Sequence, residues 1–125
     1  MSDLAGKIQD SELEVMRVLW EHGGTLPLID IRHALQARSS WEDSTMKTLV
    51  RRLQQKGVIQ LVRRGVYTAV ISEDDYARWS TQSFVNKIFA GSAKKLIATM
   101  VSSGQMSKED ITELSSILED GDGDE

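Results

Sequence analysis

Apolar residues recur along this chain with two different periods. From residue 10, the segment DSELEVMRVLWEHGG places Leu13, Met16, Leu19 and Trp20 at helical intervals, with Val15 flanking. Ser11 and Glu14 have the spacing of a capping box, and Gly23-Gly24 ends the run. PLIDIRHALQAR predicts a second helix: Pro27 suits a first turn, and Leu28, Ile31, Ala34 and Leu35 form one stripe. SSWEDSTMKTLVRRLQQKG predicts a third, in which Met46, Leu49, Val50 and Leu53 fall within an arc of about 100°. Ser40 or Asp43 can cap it, and Gly57 stops it. The period then changes. VIQLVRRGVYTAVI is rich in β-branched and aromatic residues around a turn at Arg64-Gly65, which predicts a hairpin over roughly 58–63 and 66–71.

Helical spacing returns at Ser72, with Asp75 at capping distance. This helix runs, with a break near Gly91, to about Met100. A last helix starts behind Ser107 and Asp110 and carries Ile111, Leu114, Ile117 and Leu118 on one face. The closing GDGDE has nothing apolar to bury and reads as a disordered acidic tail.

Three helices followed by a hairpin is the order of a winged helix-turn-helix. The expected fold is therefore mainly α with a small β-hairpin wing: a winged-helix unit over 1–71, a helical region over 72–120 and a tail over 121–125. The last helices have too few partners to make a compact domain alone. Their apolar faces, with Val85, Ile88, Phe89, Leu96, Ile97, Ile111, Leu114 and Leu118, need another surface, and a second copy of the chain is the simplest source. A homodimer is expected.

Composition narrows the setting. The chain has 125 residues, 40% hydrophobic and 27% charged, which suits one domain or a small domain plus an appendage. There is no cysteine, so disulfides and thiolate metal sites are excluded. The N-terminus has no apolar signal core, and no apolar run approaches the ~20 residues needed to cross a bilayer. A cytoplasmic protein without a membrane partner is expected.

Charge changes the picture most. The formal net charge is −4, but residues 44–64 hold Lys47, Arg51, Arg52, Lys56, Arg63 and Arg64 and no acid, while all 19 acids lie elsewhere. On a helical wheel, the face opposite the apolar stripe of the third helix centres on Ser44, Thr48, Arg51 and Gln55. Lys47 and Arg52 flank it, and Thr45 stands at one edge. Arg can donate two hydrogen bonds to guanine, Gln can pair with adenine, and short hydroxyls can approach bases or phosphates. Carboxylates would be repelled by phosphate, which accounts for their absence. Arg63 and Arg64 fall at the hairpin turn, where a wing would touch the backbone or minor groove. Remote acids do not cancel such a face, because salt limits their reach to ~8–10 Å. The alternative use of such a face is simple solvation.

Those residues carry a resemblance. STMKTLVRRLQQKG is similar to a run of the penicillinase and methicillin-resistance repressor family, which also includes copper-operon repressors; Thr45, Thr48, Leu49, Arg52, Leu53, Lys56 and Gly57 match it. IQDSELEVMRVLW, Ile31, Leu35, Trp41, Gly65, Tyr67, SFVNKIFAGSAKKLI and KEDITELSSIL extend the likeness over about residues 8–119. The resemblance implies a homodimeric transcriptional repressor that binds a palindromic operator in double-stranded DNA. It puts recognition-helix contacts on Ser44, Thr45, Lys47, Thr48, Arg51 and Arg52, and wing contacts on Arg63 and Arg64. It also implies relief by a signal, through a ligand or through an upstream sensor or protease. The chain departs from the family pattern twice. Copper-responsive members end in paired Cys-x-Cys motifs, absent here. β-lactam-responsive members are cut at an Asn-Phe pair, and the aligned pair here is Thr99-Met100.

Other constellations carry less. His22 and His33 lack partners at metal-ligand spacing, and His22 sits where a helix end favours a cation. EDGDGDE imitates the start of a calcium loop but is too short to complete one. No metal or cofactor is expected. An enzyme is disfavoured, because no nucleophile triad or phosphate-binding glycine loop is present. A winged helix used purely as a protein-interaction module remains a rival. It calls for an apolar or mixed third-helix face.

Overall fold

The computed structural model describes residues 2–122. The chain divides into two units, residues 1–81 and 82–125. The first opens with α1 (Ser2–Gly6) and α2 (Asp10–Glu21), then β1 (Thr25–Pro27) and α3 (Leu28–Gln36). It continues through α4 (Asp43–Gln55) to a hairpin of β2 (Ile59–Arg63) and β3 (Val66–Ala69), followed by the start of α5 (Glu73–Phe89). The second unit holds the end of α5, then α6 (Ala93–Ser102) and α7 (Lys108–Asp122). The expected class, a mostly helical chain with an N-terminal winged helix, is what forms.

The core of the first unit lies where the apolar stripes of α2, α3 and α4 meet. Val15, Met16, Val18, Leu19, Ile31, Leu35, Met46 and Leu53 are completely buried, and Val58, Ile59 and Ile71 close the layer from the sheet side. Each fully buried aliphatic side chain contributes about 1.5–3 kcal/mol. Trp20 and Trp41 pack against this core half-buried. The Trp20 indole donates to the Ile71 carbonyl at 3.0 Å and lies 5.6 Å from the ring of Tyr76. Trp79 also packs on this core, against Gly6. These contacts carry the first unit past residue 71 to Thr81.

Several local expectations change. Helix α2 starts at Asp10, and its box is formed by Gln9 and Glu12, not Ser11 and Glu14; the Gln9 N–H donates to Glu12 Oε1 at 3.0 Å. Pro27 ends a strand instead of opening a helix. β1 pairs antiparallel with β3 through Thr25–Thr68, Leu26–Tyr67 and Pro27–Val66, giving a three-stranded sheet in the order β1-β3-β2. Neither Ser40 nor Asp43 caps α4. Glu42 takes the cap position without a side-chain bond, and Asp43 is the first helical residue. Gly57 ends α4 at φ 81°, the left-handed conformation that lets Val58 N–H reach the Leu53 carbonyl at 3.0 Å and feeds the chain directly into β2.

In the second unit the cap at Ser107 forms as expected. Ser107 N–H donates to Asp110 Oδ2 at 3.0 Å, and Asp110 N–H to Ser107 Oγ at 3.1 Å. The break between α5 and α6 lies at Ala90-Gly91, both with positive φ. Helix α7 extends to Asp122, into the segment expected as a tail; residues 123–125 and the side chain of Leu118 lie outside the described residues.

Candidate nucleic-acid interface

The candidate interface is built on α4. Its buried stripe of Met46, Leu49, Val50 and Leu53 fixes the rotation of the helix, and the opposite side is left to solvent. Ser44, Thr45, Lys47, Arg51, Arg52, Gln54 and Gln55 are all exposed, and Thr48 is half-exposed. Among the described residues, none of Lys47, Arg51, Arg52, Arg63 and Arg64 forms an ion pair, whereas Arg17, Arg32, Arg38 and Lys56 do. The cations of the expected face and hairpin turn are therefore free, and they stand together on a stretch that holds no acid.

Thr48 has a narrower chemistry than its type suggests. Its hydroxyl donates to the Ser44 carbonyl at 2.8 Å, so the proton is spent inside the helix. What remains outward is a methyl group and an oxygen that accepts, a pair suited to a thymine methyl or a base amino group.

The sequence count of six cations over 44–64 falls to five. Lys56 does not join the exposed face. Its ammonium donates to Glu12 Oε1 and Oε2 at 2.6 and 2.8 Å and to the Lys7 carbonyl at 2.9 Å. Glu12 is completely buried. The pair ties the C-terminal end of α4 to the start of α2, and it serves the core.

The wing turn is Arg64-Gly65, with Gly65 at φ 76° and Arg63 opposite Val66. The Gly65 carbonyl accepts from Leu28 N–H at 2.7 Å, which anchors the turn to the start of α3. A β-bulge interrupts the register between Leu61 and Arg63. Arg63 and Arg64 are exposed, and so are the apolar Leu61 and Val62 of the edge strand, at 47% and 48%. Both adjoin the bulge, and their exposure leaves each side of β2 accessible at this point.

A second feature was not legible. Asp43 receives Arg32 Nε at 3.3 Å and Gln36 Nε2 at 3.2 Å on Oδ1, and Arg32 Nη2 bonds Oδ2. Arg32 and Gln36 stand one turn apart on α3, so together they grip the first residue of α4.

The second unit shows where the expected dimerisation residues stand. Ile88, Ile97, Ile111 and Leu114 are exposed, at 56%, 48%, 39% and 43%. Phe89 and Leu96 are half-buried, and Phe89 meets Phe84 edge-on at 5.8 Å. Val85 is already buried in the single chain, at 8% exposure, and offers little free surface. Ile97, Met100, Met106, Leu114 and Ile117 line an open, mostly apolar recess, with Asp110 and Glu113 at its edge.

Among the described residues there is no group of His, Asp and Glu able to hold a metal, and His22 is occupied in donating from Nδ1 to the Val18 carbonyl at 2.8 Å. No helix among them is long and apolar enough to cross a membrane.

Comparison with known proteins agrees with this architecture. The sequence profile of the penicillinase repressor family matches residues 8–120. The chain is 34% identical over 117 residues to the penicillinase repressor of Bacillus licheniformis, covering 91% of each protein. It is 27% identical over 123 residues to the methicillin resistance regulatory protein MecI of Staphylococcus aureus strain N315, covering 94% of this chain and 98% of that one. The penicillinase repressor of Staphylococcus aureus is also 27% identical, over 96% of this chain. The chain belongs to the penicillinase repressor family.

Proposed function

We propose that this member of the penicillinase repressor family represses transcription by binding a palindromic operator as a homodimer, reading base edges with α4 and gripping the sugar-phosphate backbone with the wing. Members of the family are transcriptional repressors, not enzymes, and this chain is one. The finer reading rests on one observation: five cations of α4 and the wing are exposed and free of carboxylate partners among the described residues.

The roles divide by chemistry. Arg51 sits at the centre of the outward face and is the candidate for a bidentate contact to guanine. Thr48 offers its methyl. Ser44, Thr45, Lys47 and Arg52 surround them and set the register against phosphates, while Arg63 and Arg64 add backbone contacts from the wing. One such face contacts only a few base pairs. Pairing two copies through the exposed apolar residues of the second unit places two faces on half-sites about 10 bp apart or a multiple of it.

Two measurements test this. Selection of bound sequences from random duplexes should enrich a palindrome. On the enriched site, the log–log dependence of affinity on salt should have a slope of roughly −5 to −10 for the dimer, from about 0.9 per phosphate neutralised. A slope near zero with no enriched sequence would reject operator binding and favour the protein-interaction module.

A further inference from the structure

The grip of α3 on Asp43 stands beside the reading face and belongs to none of the contacts assigned above. Asp43 is the last acid before the acid-free stretch, and it precedes Ser44 directly. It lies one helical turn before Lys47. Its carboxylate is 48% exposed, yet it holds three donors from α3. Arg32 is 26% exposed and is the basic residue that α3 contributes here. Two side chains from one helix on one carboxylate of the next fix how those helices cross. The ion pair also neutralises a charge that phosphate would repel and occupies a guanidinium that phosphate would attract.

Resting on the operator-binding reading above, we infer that Arg32, Gln36 and Asp43 form a positioning clamp that sets sequence discrimination. It holds the N-terminal turn of α4 at the angle that brings Ser44, Thr48 and Arg51 to the bases, and it withholds Arg32 from the backbone. Asp43 thus lowers affinity for random DNA in exchange for registry on the cognate site. The two halves of the pair consequently act in opposite directions. Losing Asp43 releases Arg32 to a phosphate; losing Arg32 leaves Asp43 as a bare carboxylate beside the DNA.

The test uses the full-length dimer, with the duplex enriched by selection and a scrambled duplex of equal length as probes. Asp43→Asn should raise affinity for the scrambled duplex at least about threefold and steepen its salt slope by about 2 per dimer, one new phosphate contact per protomer at ~0.9 each. The ratio of enriched to scrambled affinity should fall by at least about tenfold. Arg32→Gln should instead lower affinity for both duplexes, without steepening either slope. Glu42→Gln removes the neighbouring acid, which makes no such bond among the described residues, and should leave the ratio unchanged. A brace with no role in discrimination would shift Asp43→Asn and Arg32→Gln in the same direction on both duplexes, together with their melting temperatures. That result, or an Asp43→Asn variant indistinguishable from Glu42→Gln, overturns the inference. A wild-type protein that enriches no sequence overturns the operator reading, and the clamp with it; a wild-type protein that enriches a palindrome while Asp43→Asn keeps its ratio overturns the clamp alone.

Discussion

Replacing Lys56 with methionine separates two uses of positive charge within one helix. The side chains are similar in length, so packing of the stem is kept. What is lost is an ammonium that donates to both oxygens of Glu12 at 2.6 and 2.8 Å and to the Lys7 carbonyl at 2.9 Å. The Glu12 side chain has no solvent exposure, and its remaining donor is Gln9 N–H. Leaving a buried carboxylate without its counter-ion costs about 3–5 kcal/mol. Lys56 is 26% exposed, so water can follow it in, and a loss below that range, about 2–3 kcal/mol, is expected. A unit of this size loses about 4–8 °C per kcal/mol, so the melting temperature should fall by roughly 10–20 °C.

The paired substitution sharpens the reasoning. Glu12→Met with Lys56→Met removes both charges and should return stability to within about 1 kcal/mol of wild type, since a buried ion pair contributes little against an apolar replacement. The cycle should therefore yield a coupling of about 1–3 kcal/mol. Denaturant unfolding of the four proteins measures it. DNA binding at 10 °C, below the lowered melting temperature, supplies the second readout. Lys56→Met should leave the salt slope unchanged, because that ammonium faces a carboxylate. A Lys56→Met protein of wild-type stability whose slope becomes shallower by about 2 per dimer would refute the assignment and return Lys56 to the interface.

Three further outcomes follow from the same geometry. Arg51→Ala should lose about 1–3 kcal/mol on the enriched site and little on scrambled DNA, whereas Arg64→Ala should weaken both about equally; equal losses for Arg51→Ala would reassign it to the backbone. Thr48→Val, which keeps the methyl and gives up the hydroxyl already bonded to Ser44, should lose less discrimination than Thr48→Ala, and a gel-shift competition series ranks them. Leu114→Asp puts an unpaired charge on the exposed apolar face and should convert the dimer to a monomer in sedimentation, with the fragment 1–81 also monomeric; a dimeric 1–81 would move the interface into the first unit.

The elements that were legible are those whose periodicity repeats over several turns. The stripes of α2, α3 and α4 each bury a set of residues that the sequence spacing picks out, and the change to β-branched residues after Gly57 marks the wing. What escaped has short or distant causes. Helix α1 covers five residues, too few for a period, and forms where Leu4, Ala5 and Ile8 find the finished core. Strand β1 covers three residues and exists because β3, about forty residues later, offers it a pairing edge. The α2 cap slipped from Ser11 to Gln9 because Glu12 is held by Lys56, and that contact spans 44 positions.

The site divides in the same way. A helical wheel sorts α4 into buried and exposed faces, so the cations of its outward side could be named in advance. Partnership could not. Lys56 and Arg51 look alike in the sequence, and Asp43 looks like a cap. Only the fold shows Lys56 meeting Glu12 and Asp43 meeting Arg32. The same limit applied to Val85, which belongs to an apolar stripe shared by buried and exposed residues.

The second unit carries the strongest physical argument for association. Among the described residues from 82 onward, Val85, at 8% exposure, is the one buried apolar side chain, while Phe84, Ile88, Ile97, Val101, Ile111, Leu114 and Ile117 remain open to solvent. Fixing each residue of such helices costs about 1–2 kcal/mol of backbone entropy, and one buried valine offsets little of that. The proposed partner copy would supply the missing burial, so folding of this unit and dimerisation would be one equilibrium. Dilution should then lower helical content in residues 82–122 while the first unit, with its own core of buried side chains, stays folded. Operator affinity would fall along the same concentration curve, because a monomer engages one half-site.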